Sequence, residues 1–244
     1  MISRRWYSDA YDRLPNPLHY TSRFAFRDEF QAHRRTVLGR YSPRELEEIR
    51  AALDTLGRAQ ARIEIIGGTC KHRNSKGPGD IRLYRMVGGR TPHGGVVMTQ
   101  YGSDGEYGAI RVRTCGAEAV PSRLAAGIPA CPPGSAKPMT FHPEELKPRQ
   151  DTYLQDVARN TPREHYRRLL RRPTDGSGTA VLLPGSVHTR TQPWQTLQWH
   201  DISEDGRYTE VRAEHVTVRP TTVPELSAQF AAWFDRALQR IARS

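Results

Sequence analysis

Cys70 and His72, two positions apart in GTCKHR, are the one closely spaced thiol and imidazole in the chain. Such a pair serves metal binding or thiolate chemistry only with further ligands or a base beside it. No second Cys/His pair accompanies it, and Cys115 and Cys131 stand alone. Three cysteines without paired spacing give no disulfide framework. GPGD (Gly77 to Asp80) and DGSG (Asp175 to Gly178) are glycine turns that lack the remainder of a phosphate-binding loop or a dinucleotide fingerprint, and no nucleophile elbow occurs. His200, Asp201 and His215 read as outward polar positions on strands. Trp194 and Trp199 with Tyr208 could line a ligand groove, although aromatic residues on strands more often pack into a core. No catalytic residue, metal ligand or cofactor is assigned, and the chain is not expected to be an enzyme.

What remains is binding chemistry, and charge is its first guide. The 244 residues carry 37 basic and 26 acidic side chains, a formal net charge of +11, which raises the question of nucleic acid. Only Lys71, Lys76, Lys137 and Lys147 are lysines, the bias of a GC-rich coding sequence. The arginines are spread along the chain with no block of five or six like charges. Arg167, Arg168, Arg171 and Arg172 fall at the end of an expected helix, where cations suit the helix dipole. A solvated surface is favoured over a nucleic-acid site. Nowhere does an apolar run reach the roughly 18 residues of a membrane helix, and the N-terminus lacks a signal-peptide core, so a cytoplasmic protein without membrane insertion is expected.

The elements that must present these residues follow from capping signals and periodicity. SPRELEEIRAALDTLG opens with Ser42 as N-cap, Pro43 in the first turn and Glu45 closing a capping box. Arg62 to Cys70 reads as a strand, KHRNSKGPGD as a turn-rich loop, and Ile81 to Val87 as another strand. Val96 to Gly116 reads as a hairpin turning at Asp104-Gly105, followed by a short helix or turn in VPSRLAAGIP. The order then recurs. TPREHYRRLLRRP opens with Thr161, Pro162 and Glu164, GTAVLLPG supplies a strand, and Leu197 to Pro220 reads as a second hairpin turning at Asp205-Gly206. A last helix starts at a third box, Thr222 and Glu225, and aligns Leu226, Phe230, Trp233, Phe234, Leu238 and Ile241 on one face. The expectation is a single α+β domain over 1–244 with a quasi-twofold, mainly antiparallel central sheet and flanking helices. Its two pseudo-repeats run over about 24–130 and 139–244, joined by a linker at 129–138.

A resemblance covers Phe24 to the end. The leucines before Pro173, the Gly176-Ser177-Gly178 turn, Leu197-x-Trp199-x-Asp201, Gly206-Arg207-Tyr208 and Val216-x-Val218-x-Pro220 before a helix occur in order. With ALDTLGRAQARIEIIGG and VVMTQYG in the first half, they are similar to the EspG family, the chaperones of type VII (ESX) secretion in actinobacteria. The resemblance implies a cytosolic chaperone with a quasi-twofold α/β fold. Such a protein binds the exposed tip of a helical PE/PPE-like heterodimer, keeps it soluble and directs it to its secretion machine. Holding an apolar tip asks for aromatic and charged side chains beside flexible loops at a sheet edge or face. That points to Arg73, Asn74, Ser75 and Lys76 on the loop, Arg82 and Tyr84 on the strand after it, and Trp194 and Trp199 in the second half. The competing function is a nucleic-acid or anionic-ligand binding protein.

Overall fold

The computed structural model describes residues 14–21, 23–103, 105–147, 161–189 and 191–243. Helix α1 spans Arg27–Leu38 and α2 spans Pro43–Gly57. The Ser42 hydroxyl accepts from the Glu45 N–H at 3.2 Å, and the Glu45 carboxylate accepts from the Ser42 N–H at 2.8 Å, so the box closes in both directions. Four strands follow: β1 (Ala61–Thr69), β2 (Arg82–Thr91), β3 (Gly94–Ser103) and β4 (Glu106–Cys115), and then α3 (Val120–Gly127). A short β5 (Met139–Phe141) and α4 (Pro143–Leu146) lead to α5 (Pro162–Leu170). Four more strands, β6 (Thr174–Pro184), β7 (Gln195–Ile202), β8 (Gly206–Arg212) and β9 (Val216–Pro220), precede α6 (Val223–Ile241). At α5 the Thr161 hydroxyl accepts from the Glu164 N–H without a return bond, whereas Thr222 and Glu225 form a full box at α6.

All nine strands join one antiparallel sheet in the order β4-β3-β2-β1-β6-β7-β8-β9-β5. The seam is β1 against β6, running from Ala61 opposite Pro184 to Thr69 opposite Gly176. Each half unrolls outward from that seam as four successive neighbours, so helix, four strands, helix occurs twice with quasi-twofold symmetry. Two details differ from the sequence reading. Leu197 to Pro220 holds three strands, β7, β8 and β9, instead of two. Consequently the two Asp-Gly steps are not equivalent: Gly105 lies between the third and fourth strands of its half, and Gly206 begins the third strand of the other. Asp104 lies outside the described residues. DGSG is no turn either, because Asp175 to Gly178 belongs to β6, and Gly176 to Gly178 pair with β1.

Alternation along the strands defines two sheet faces. On one, Ile63, Ile65, Met86, Val97, Ala180, Leu182 and Leu197 meet α3 and α6, with Phe230, Trp233 and Phe234 wholly buried. On the other, α2 lays Ala52 and Leu56 over Val87, Val96 and Met98, while Leu169 of α5 joins Phe141, Tyr208, Val216 and Val218. The helices that open the two halves thus flank one face, and those that close them share the opposite one.

The proline-rich segment 129–138 is strapped to β8. The Arg207 N–H donates to the Pro132 carbonyl at 2.7 Å and the Gly134 N–H to the Arg207 carbonyl at 3.1 Å. The Ser135 N–H reaches Asp205 and the Ala136 N–H reaches the Tyr208 hydroxyl, both at 2.8 Å. Gly206, at φ +151°, allows the Pro132 and Pro133 carbonyls to come close to its α-carbon.

Candidate docking surface

The loop between β1 and β2 is built by its own polar groups. Its closure rests on Asp80: the Lys76 N–H donates to the carboxylate at 2.9 Å, and His72 Nε2 lies 3.0 Å from the Asp80 carbonyl. The Asp80 N–H returns to the Gly77 carbonyl at 3.0 Å, and Gly77 sits at φ +132°, a conformation that a side chain would strain. Arg73, Asn74 and Lys76 are left exposed and Ser75 half-buried, its hydroxyl 3.4 Å from the Gly77 carbonyl. Arg82 follows, exposed, with its guanidinium 5.3 Å from the centre of the Tyr101 ring. Asn74, Lys76 and Arg82 line one cavity of about 600 Å³ with Ile81, Glu106 and Tyr107. Arg73 and Ser75 lie on the same loop outside that lining.

The three aromatic candidates go elsewhere. Tyr84 and Trp199 are in the core, 1% and 0% exposed, their rings stacked 6.5 Å apart. Gly67 and Gly178 pair across the seam, and each has one of these rings lying over its α-carbon, Tyr84 over Gly67 and Trp199 over Gly178. A role for either ring as a contact surface is therefore corrected to a packing role. Burial also raises the Tyr84 hydroxyl pKa far above its ordinary value. Trp194 is half-buried, its ring 4.3 Å beneath the Arg240 guanidinium and its backbone N–H donating to the Leu182 carbonyl at 2.8 Å. Leu182 pairs with Ile63, so Trp194 belongs to the Ala61 end of the seam and the loop to the Thr69 end. The structure gathers the loop and Arg82 and leaves the second-half tryptophans apart from them. Asp201, expected to face outward, is buried against Arg207. Cys70 is buried and lies 3.8 Å from an Asp175 carboxylate oxygen, whereas His72 engages Asp80, so the pair divides between two partners. Among the described residues no group of three His, Cys, Asp or Glu side chains could hold a metal ion.

An apolar trough adjoins the loop cavity and was not found in the sequence. It measures about 630 Å³ and runs between α1, α2 and the outer strands, with Val37, Leu38, Leu46, Ile49, Ile110 and Val112 among its walls. Tyr107 and Gly108 line both cavities, so the two adjoin at these residues. Arg85 places its guanidinium 5.0 Å from the Tyr107 ring at that junction. Tyr20 and Tyr41 line the trough while 54% and 44% exposed. Helix α1 has no buried residue, and Phe26 at its N-cap is 68% exposed. On the same sheet face Ile66 is 50% exposed, and Ile81 beside the loop 49%. One of these had a visible signal. In RIEIIGG the alternation puts Ile63 and Ile65 inward with Arg62 and Glu64 on the other face, so Ile66 breaks the polar pattern of that face. Helix α1 gave no such signal, because its apolar residues are too few to form a wide stripe. The arrangement is an apolar floor with a polar, mainly cationic rim, suited to holding a partner's apolar surface.

Comparison with known proteins adds three findings. The comparison with curated proteins returns no match. Among solved structures, the chain is similar to the Mycobacterium tuberculosis type VII secretion system chaperone EspG5, solved in complex with a PE25-PPE41 dimer. Identity is 15%, each chain is covered over 75%, and the TM-score is 0.45. The family model described as the EspG family matches residues 6–231. That span takes in every described strand, the loop after β1, the trough and the first half of α6, and on this coverage the chain belongs to the EspG family.

Proposed function

We propose that this protein is a cytosolic chaperone of type VII secretion that binds the apolar tip of a helical PE/PPE-like substrate, keeps it soluble and delivers it to the secretion machinery. Membership of the EspG family supports the class. The observation that carries the site is the junction at Tyr107, where an apolar trough of about 630 Å³ adjoins the cavity of a polar loop. An apolar floor supplies affinity, and the charged rim keeps the unoccupied chaperone from aggregating. Arg73, Asn74, Ser75, Lys76 and Arg82 belong to the rim. Tyr20, Tyr41 and Ile81 are the apolar contacts that the sequence reading did not include. Among the described residues no helix is long and apolar enough to cross a membrane, in keeping with a partner that is met in solution.

The test is co-expression with the helical secretion substrates encoded nearby. The expected outcome is a one-to-one complex with a helical protein or heterodimer that is insoluble when made without this chain. Deleting Ser75 to Gly79 is expected to weaken that complex. A substrate equally soluble with and without the chain, and no complex on gel filtration, would contradict the reading.

A further inference from the structure

Strand β4 ends the sheet, with β3 on one side and, among the described residues, no strand on the other. Every second residue of such an edge turns its N–H and C=O outward, ready for another strand. Its two side-chain rows differ. Ile110 and Val112 pack toward α2, while Arg111 and Arg113, opposite Thr99 and Val97, face away from it. These two arginines enter a cavity of about 480 Å³ whose other wall is α3, and Arg123 joins them from that helix. All three are exposed, and none has a carboxylate partner among the described residues. Arg123 interacts instead with the Cys115 thiol. Where arginines are buried, the fold pairs them: Arg62 with Glu64, Arg90 with Asp235 and Arg207 with Asp201. Three like charges around one cavity, with no carboxylate partner among the described residues, favour an anionic occupant.

The spacing says which kind. Arg111 and Arg113 are two residues apart on one strand, about 7 Å, the repeat of alternate side chains on any strand laid beside them. A second copy of β4 fits poorly, because antiparallel pairing about this segment sets arginine opposite arginine. A nucleic-acid strand leaves the outward N–H and C=O row unused. We propose that the β4 edge receives an extended acidic segment of a protein partner as a further strand, with carboxylates at alternate positions held by Arg111 and Arg113 and the nearer one also by Arg123. The site lies on the opposite sheet face from the trough and does not depend on the chaperone reading.

The probe is a fluorescent peptide of alternating threonine and glutamate, about ten residues long to match the strand, titrated into the full chain by anisotropy. Binding is expected to fall by roughly tenfold or more when glutamate is replaced by glutamine in the peptide, or when the protein carries Arg111→Glu and Arg113→Glu. The doubly substituted protein should instead bind the threonine-lysine peptide, a gain that misfolding cannot produce. Amide exchange along β4 should slow in the complex. The proposal is overturned if the glutamate peptide does not bind or if the substituted protein binds it unchanged. It is equally overturned if an oligothymidylate of the same length competes as well while β4 amides stay unprotected, or if the edge proves to be occupied by a dimer that the substitutions dissolve.

Discussion

Arg207 is wholly buried, its Nε and Nη2 on the two Asp201 oxygens at 2.7 and 2.8 Å and Nη2 also on the Pro129 carbonyl at 2.8 Å. Removing one partner of such a pair strands the other charge out of water, so Arg207→Ala is expected to destabilise by about 3–5 kcal/mol in urea titration. A change below about 1 kcal/mol, the range of exposed pairs, would mean that water reaches the pair. Asp205 gives a pH signature. Burial opposes its charge, but hydrogen bonds from the Ser135 N–H, Arg172 and the Tyr208 hydroxyl outweigh that and hold it at about 2 against an ordinary 3.8. A depressed carboxyl stabilises fully above its ordinary value and loses that contribution as pH falls toward 2. Asp205→Asn should therefore flatten the stability profile between about pH 4 and 2. At neutral pH it should lower stability by roughly 1 kcal/mol, a figure reduced by solvent screening because Arg172 is 40% exposed. An unchanged acid limb in denaturation series at stepped pH would contradict it. Little of this was legible beforehand: Asp201 beside His200 looks like any polar strand residue, and only the fold places Arg207 opposite it.

The helices that open on a Ser or Thr cap were legible in the sequence, because such caps are local and owe little to distant contacts, whereas α1, without one, was not. Ser42, Thr161 and Thr222 each accept from the N–H three residues on. The apolar stripe of α6 was equally plain, and its burial of Phe230, Trp233 and Phe234 contributes roughly 1.5–3 kcal/mol per side chain. Truncation after Pro220 is expected to leave an insoluble chain. A truncated protein with an unchanged urea midpoint would mean that α6 is peripheral. Strands were harder. DGSG has turn composition, yet its glycines serve β6, where a methyl group at Gly178 would run into the Trp199 ring. Gly178→Ala should cost about 1–3 kcal/mol through overpacking, read as a lowered urea midpoint. An unchanged midpoint would show that the ring can shift freely. The short polar link between β8 and β9 carries no glycine or proline, which is why the sequence reading merged two strands there.

For the whole molecule, the recurrence of element order led to the right architecture even though the Asp-Gly hairpins that suggested it occupy different steps of the two halves. We propose a single domain of two pseudo-repeats, about 24–130 and 139–244, because the β1–β6 seam and the α3–α6 layer both join them. Neither half should be soluble alone, while co-expressed halves should recover a one-to-one pair. A half that unfolds cooperatively by itself would argue for two domains. The docking surface was only partly legible. The loop from His72 to Asp80 announces itself by composition, but the trough depends on α1, α2 and β4 meeting from three separate stretches of chain. The central claim is that apolar contact in this trough holds a helical substrate. The most direct test is retention of the co-expressed complex at about 1 M salt, where exposed charge contacts are screened within about 3 Å. The account predicts that the native complex persists, and that Tyr20→Asp with Tyr41→Asp abolishes it while leaving the chaperone's own urea midpoint within about 0.5 kcal/mol. A complex that dissociates in salt, or one that survives both substitutions, would contradict it.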